Sequence, residues 1–177
     1  RGGFVLTYFG VDKVFVLHGG YKKALEEGFK KTDIVPAEKL GDIKLNEGNL
    51  PTVDYEVILE HSKHPLADTI VIDSRAYERY LGNVEPLYDV AGHIPNTKNI
   101  FYMDPYKEDG TLKPLEELKV IFNKTEGFGN IILSCGSGVS ACANFIAMDE
   151  IGMKPILYVG SYSQWLKKGN NVAKGDE

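Results

Sequence analysis

Cys135 closes an apolar run, Ile131-Ile132-Leu133-Ser134, and is followed by the glycine-rich segment Gly136-Ser137-Gly138-Val139-Ser140-Ala141-Cys142. A buried strand, a loop and then a helix is the order in which parallel sheets build sites at the carboxyl ends of their strands. Successive backbone N–H groups facing a helix start stabilise an anion at their centre and lower a thiol pKa. That makes Cys135 a candidate thiolate nucleophile, with Gly136, Gly138, Val139 and Ser140 as the cradle for whatever binds it. Cys142, seven positions on, reads as a core residue of the following helix.

Spacing separates the chemistries that use such a loop. A Cys-x5-Arg phosphatase needs an arginine six positions after the nucleophile to bind phosphate through two hydrogen bonds, and that position is Ala141. Gly136-Ser137-Gly138-Val139-Ser140-Ala141 formally fits a dinucleotide fingerprint, but the acidic residue expected about 20 positions on falls near Ile156 in an apolar run. What remains is chemistry on sulfur, in which a thiolate attacks a sulfur atom and the N–H groups hold the resulting persulfide.

The elements that must position this loop can be read from periodicity. Lys13–Leu17, Thr69–Asp73, Asn130–Ser134 and Pro155–Tyr158 are short apolar runs rich in β-branched residues, the pattern of strands buried on both faces. Helical stretches lie between them over Tyr21–Glu27, Pro114–Lys124, Val139–Ile151 and Ser161–Lys168. The alternation implies an α/β fold with a mostly parallel central sheet and helices on both faces.

The chain has 177 residues, 43% hydrophobic and 25% charged, with net charge -5. That composition excludes disorder and collagen, and no apolar run approaches the roughly 18 residues of a membrane span. Charges are interspersed, so the expected partners are small molecules or proteins, with neither nucleic acid nor membrane. Two cysteines make no disulfide framework and point to a reducing compartment, cytoplasmic or mitochondrial. His18, His61 and His64 have no ligand constellation around them, so neither a metal nor another cofactor is expected.

At about 150 residues per domain the length leaves a remainder, and an internal match accounts for it. Shifting Phe4–Gly28 by 141 positions gives six identities, among them Phe4 with Phe145, Gly19 with Gly160 and Tyr21 with Tyr162. The expected organisation is a remnant of a preceding repeat over 1–28, a linker over 29–54, a complete domain over 55–170 and a tail over 171–177.

The loop Cys135–Cys142 resembles the active-site loop of the mercaptopyruvate sulfurtransferases of the rhodanese family. The resemblance continues through Val71-Ile72-Asp73-Ser74-Arg75, Arg79-Tyr80-Leu81-Gly82, Gly92-His93-Ile94-Pro95 and Gly160-Ser161-Tyr162-Ser163-Gln164-Trp165. It implies a rhodanese-like catalytic domain that moves sulfur from 3-mercaptopyruvate, or thiosulfate, through a Cys135 persulfide to thioredoxin, another dithiol or cyanide, without a cofactor. It further implies that Ser137 belongs to a Ser-His-Asp relay whose His and Asp lie before Arg1, and that Arg79 binds the donor carboxylate. Gly136 and Ser137 stand where thiosulfate-preferring relatives carry basic residues, which points to mercaptopyruvate. A second donor-binding arginine of the family has no counterpart in Glu85–Ala91.

By the same reading His93 is a turn residue, Asp73 pairs with Arg75 inside the fold, and Trp165 and Tyr162 pack behind the loop. Two further functions stand beside the enzyme. One is a persulfide-carrying or thiol-binding module with little turnover, and the other is a structural interaction domain, which the retained Cys135 disfavours.

Overall fold

A computed structural model describes residues 1–176. Thr69–Asp73 (β2) is buried at every position, and Asn130–Ser134 (β4) at all but its first. Strands with this pattern need cover on two sides. They lie at the middle of a five-stranded sheet whose order is β1-β5-β4-β2-β3, with β1 Thr52–Val53, β3 Thr97–Asn99 and β5 Ile156–Tyr158. Every pairing is parallel, with Ile72 beside Leu133, Leu133 beside Leu157, and Asp73 beside Ser134.

The pleat sends alternate side chains to opposite faces. Ile70, Ile72, Ile131, Leu133 and Leu157 pack under Leu118 of α5 (Leu115–Ile121) and Ala147 and Met148 of α6 (Ala141–Glu150). Val71, Ile132 and Tyr158 pack under Ile58 of α3 (Tyr55–Lys63) and Tyr162 and Trp165 of α7 (Ser161–Lys167). The α/β fold with helices on both faces is therefore as the sequence indicates. Periodicity did not show β1 and β3, too short to carry a period; α4 (Tyr77–Leu81), a five-residue helix ended by Gly82 at φ 81°; or α3, whose buried residues are only Ile58 and His61.

One expected strand does not form. Lys13–Leu17 is irregular, and Phe15, Val16 and Leu17 are exposed at 88%, 59% and 51%. A strand with this pattern requires a neighbouring ladder on which to hydrogen-bond, and the described residues supply none. The helix expected over Tyr21–Glu27 does form, and another precedes the irregular segment. α1 (Gly2–Tyr8) packs on α6, with the Phe4 and Phe145 rings edge to face at 5.1 Å. α2 (Gly20–Glu26) has the bounds of α7 shifted by 141 residues.

Residues 29–48 have no regular structure, and residues 29–49 are all exposed. From Asn46 the chain returns to the body, where Asn46 and Asn49 donate N–H bonds to the carbonyls of Phe9 and Tyr8 and β1 joins the sheet edge. Of the tail expected over 171–177, Glu177 lies outside the described residues, and residues 171–175 fold back onto the domain. Ala173 exchanges two hydrogen bonds of 2.9 Å with His93, and Trp165 Nε1 donates to the Asn171 carbonyl.

A buried ion cluster fixes the carboxyl edge of β2. Asp73 accepts the Arg75 N–H at 2.9 Å and pairs with its guanidinium at 2.6 Å, while Arg75 Nη1 reaches Glu85 at 3.1 Å and Nη2 reaches the Gly92 carbonyl at 2.7 Å. Arg75 also lies 3.9 Å from the Tyr162 ring centre. Removing one member of a buried cluster strands the opposite charges. Arg75→Met is expected to lower unfolding free energy by about 3–5 kcal/mol in urea denaturation; a loss below about 1 kcal/mol, the scale of exposed ion pairs, would show that the cluster is dispensable to the fold.

Candidate active site

Cys135 follows the last residue of β4, so the register that pairs Ser134 with Asp73 sets the thiol at the carboxyl edge of the sheet. The loop from Cys135 to Ser140 is clamped to the start of α7. Tyr162 N–H donates to the Cys135 carbonyl at 3.0 Å, Ser163 N–H to Gly136 at 2.8 Å, and Cys135 N–H to Ser161 Oγ at 3.1 Å. Gly138 has φ 68°, and a Cβ there would stand 2.5 Å from the Val159 carbonyl. Both the left-handed backbone and the close approach require glycine at this turn.

The thiol is 1% exposed. Burial pushes its pKa up, but the Ser140 hydroxyl, the N–H groups of Ala141 and Ser137, and the Ser161 hydroxyl stabilise the thiolate, and the net result lies below an ordinary cysteine. No lysine, arginine or histidine is among these causes. The Ser161 hydroxyl stands 3.9 Å from Sγ and 2.9 Å from the Tyr158 carbonyl, two acceptors between which its single proton is shared. Cys142 differs, because burial pushes its thiol up and its S–H donates to the Gly138 carbonyl at 3.5 Å.

The structure brings Cys135, Gly136, Ser137, Gly138, Val139 and Ser140 into one turn. Gly136 and Gly138 are buried in it, whereas Ser137 and Val139 are on its exposed rim. The Ser137 carbonyl accepts Arg1 Nη1–H at 3.2 Å, so the start of α1 touches the loop. Arg79 does not present an open fork. Its Nη2 and Nε donate to Glu85 at 2.7 and 3.2 Å, and a donor carboxylate would have to compete with Glu85 or use the remaining Nη1 edge.

His93 is buried with Nδ1 2.7 Å from the Tyr80 carbonyl and its ring stacked on Tyr80 at 3.8 Å. Sequence reasoning passed over Ser161, Glu85 and Tyr88. Ser161 carried one signal, a non-glycine residue opening a helix directly after a glycine at a strand end. Glu85 and Tyr88 lie in an aperiodic stretch and carried none.

A cleft of about 580 Å³ runs between α1 and the carboxyl edge of β1 and β5, and its lining reaches Gly138. Among the described residues no three His, Cys, Asp or Glu side chains gather as a metal site. No helix among them is long and apolar enough to cross a membrane.

A five-stranded parallel sheet covered on both faces, with an activated cysteine in the turn after its central strand, defines a rhodanese-like domain. Residues 56–168 match the rhodanese-like domain family, and the chain belongs to it. Among named relatives, the chain is 31% identical to a probable 3-mercaptopyruvate sulfurtransferase of Pseudomonas aeruginosa, over 99% of this chain and 63% of that protein. It is 34% identical to the thiosulfate sulfurtransferase of Rattus norvegicus, over 95% of this chain and 58% of the relative. The chain thus spans roughly three-fifths of the relatives it matches. The wild-type structure of EanB superposes with a TM-score of 0.86 at 21% identity, covering 100% of this chain and 44% of that one, which shows a shared fold.

Because the thiolate is the reactive form, a lowered pKa keeps Cys135 reactive at a pH where an ordinary thiol is protonated. The alkylation rate with a small reagent is expected to rise to its plateau at lower pH than for an unperturbed cysteine. Ser140→Ala should move that rise to higher pH, and an unmoved profile would remove Ser140 from the cradle. Gly138→Ala, strained by its φ and by the Val159 carbonyl, is expected to abolish this fast alkylation in a protein whose far-ultraviolet circular dichroism is retained.

Proposed function

We propose that this chain transfers sulfane sulfur from 3-mercaptopyruvate, or thiosulfate, through a Cys135 persulfide to thioredoxin, another dithiol or cyanide. The observation that carries the reading is a buried thiol in the turn after β4, ringed by N–H and hydroxyl donors of Ser137, Ser140, Ala141 and Ser161 that bring its pKa below the ordinary value. The names of the relatives support it. The Cys135 thiolate attacks the donor sulfur, an S–S bond forms, and the C–S bond breaks with its electron pair staying on carbon. Pyruvate leaves as its enolate, and the proton of the donor thiol ends on the pyruvate methyl carbon. The terminal persulfide sulfur is then attacked by an acceptor thiolate, which regenerates the Cys135 thiolate and gives a persulfide on the acceptor. With cyanide the product is thiocyanate. Two half-reactions sharing one covalent intermediate give ping-pong kinetics.

In this reading the N–H groups of Ser137 and Ala141 and the hydroxyls of Ser140 and Ser161 hold the charge on sulfur. Gly136, Gly138 and Val139 shape the turn, and Arg79 steers the donor carboxylate. Ser137, on the rim, passes protons through a relay with a histidine and an aspartate. His18 accepts the Leu112 N–H, His61 bonds with Leu66 and Asn96, and His93 bonds with Tyr80, so these three are held by backbone groups. The engagement of Arg79 by Glu85, which occupies two edges of the fork meant for the donor, favours the second reading, a sulfur-carrying module with slow turnover.

Excess mercaptopyruvate is expected to add the mass of one sulfur atom to the intact chain, and Cys135→Ser to abolish the addition. A wild-type chain that gains no sulfur would sink both readings. Turnover with a dithiol separates them, since a carrier loads once and releases slowly.

A further inference from the structure

Tyr88 lies between the nucleophile loop and the Arg79–Glu85 pair. The Tyr88 hydroxyl oxygen stands 3.0 Å from where a Cβ on Gly136 would be, so the phenol rests directly against the bare backbone of the loop. The ring is held from two sides. It meets Tyr162 edge to face at 5.7 Å, and the Arg79 guanidinium is 5.9 Å from its centre. Tyr162 is itself fixed, donating its N–H to the Cys135 carbonyl at 3.0 Å and its hydroxyl to the Val90 carbonyl at 2.9 Å. Tyr88 is half-buried, and its position is tied through Tyr162 to the Cys135 carbonyl and directly to Gly136, the residue after the thiol.

The charges behind Tyr88 are balanced. Arg75 and Arg79 are matched by Asp73 and Glu85 in one connected set of ion pairs, and the Glu85 side chain is only 1% exposed. The wall next to the thiol therefore offers a hydroxyl donor in front of a compensated arginine. A hydroxyl satisfies a carbonyl or carboxylate oxygen through one directed bond, whereas a compact dianion needs uncompensated positive charge to repay its desolvation.

We propose that Tyr88 is a specificity-determining residue of the Cys135 site, its O–H donating a hydrogen bond to an oxygen of a singly charged α-keto acid donor. Glu85 sustains the selection by cancelling the charge of Arg79, which disfavours doubly charged donors such as thiosulfate. The inference rests on the sulfur-transfer reading for its chemistry, but its binding step is measurable without transfer.

The probe is mercaptopyruvate, titrated calorimetrically into the full chain carrying Cys135→Ser so that binding is seen without reaction. Adding Tyr88→Phe, which keeps the ring and its packing, is expected to weaken binding about tenfold, as for loss of a hydrogen bond to a charged acceptor. In the chain with Cys135 intact, the same substitution should raise KM and act less on kcat. Tyr88→Arg, which adds a cation at the same half-buried place, should shift the ratio of thiosulfate to mercaptopyruvate efficiency about tenfold toward thiosulfate, the scale of one charge-assisted bond. Equal affinity of Tyr88→Phe and its parent overturns the inference, as do an absence of mercaptopyruvate binding and a loss that follows a lowered melting temperature. Weakened binding in a chain that never forms a persulfide leaves the donor contact standing and removes the sulfur-transfer reading instead.

Discussion

The turn from β4 into α6 must aim its N–H groups at one sulfur atom, and it closes only where Gly138 takes a left-handed backbone against the Val159 carbonyl. That contact joins the loop after β4 to the loop after β5, and the three hydrogen bonds from Cys135 and Gly136 to the start of α7 complete the clamp. Because both strands are parallel and adjacent, their carboxyl ends are brought side by side by the ladder itself. The anion site is thus a consequence of sheet topology, made usable by one residue without a Cβ. Ser161 pays part of the conformational cost, holding φ 52° while its oxygen satisfies the Cys135 N–H.

Electrostatics divides the site into two regions with different tasks. In the loop, N–H and hydroxyl dipoles outweigh the burial of the thiol and bring its pKa below the ordinary value. Under the neighbouring wall, Asp73, Arg75, Arg79 and Glu85 neutralise one another and hold the β2 end, the Gly92 carbonyl and Tyr162 in register. A buried set of this kind is tolerated because its members are paired, and its value lies in fixing geometry as much as in energy. Asn144 performs the uncharged counterpart on α6, bonding Ser74 Oγ and the Ile100 carbonyl and so pinning the helix that follows the loop.

The central strands were legible because burial on both faces leaves no polar alternation, and Thr69–Asp73 and Asn130–Ser134 are continuous runs in the sequence as in the fold. The same pattern misled at Lys13–Leu17, since hydrophobicity encodes what a segment can do in a sheet and not whether a neighbouring strand is present. The turn that holds Cys135 was legible because a strand passing directly into a helix needs glycine at fixed places, as Gly138 at φ 68° shows. Glu85 and Tyr88 were not, since they reach the site from an irregular stretch where neither periodicity nor spacing carries information. Arg79 could be found by its type, but its engagement with Glu85 depends on a chain path that composition does not describe.

The loop is consequently approached from two sides that differ in character. At Gly136 it faces Tyr88, Tyr162 and the compensated arginines, all supplied by the domain that contains the thiol. At Ser137 it faces Arg1 at the start of α1, which rests on α6 through Phe4 and Phe145. A donor held on the first side meets groups fixed by the sheet and its buried ion pairs. The Ser137 side is braced by a helix that lies outside the sheet. Under the function and the donor contact proposed above, donor choice and proton transfer rest on these two separate supports, so a substitution on the α1 side that leaves Tyr88 and Glu85 in place acts on the second and not on the first.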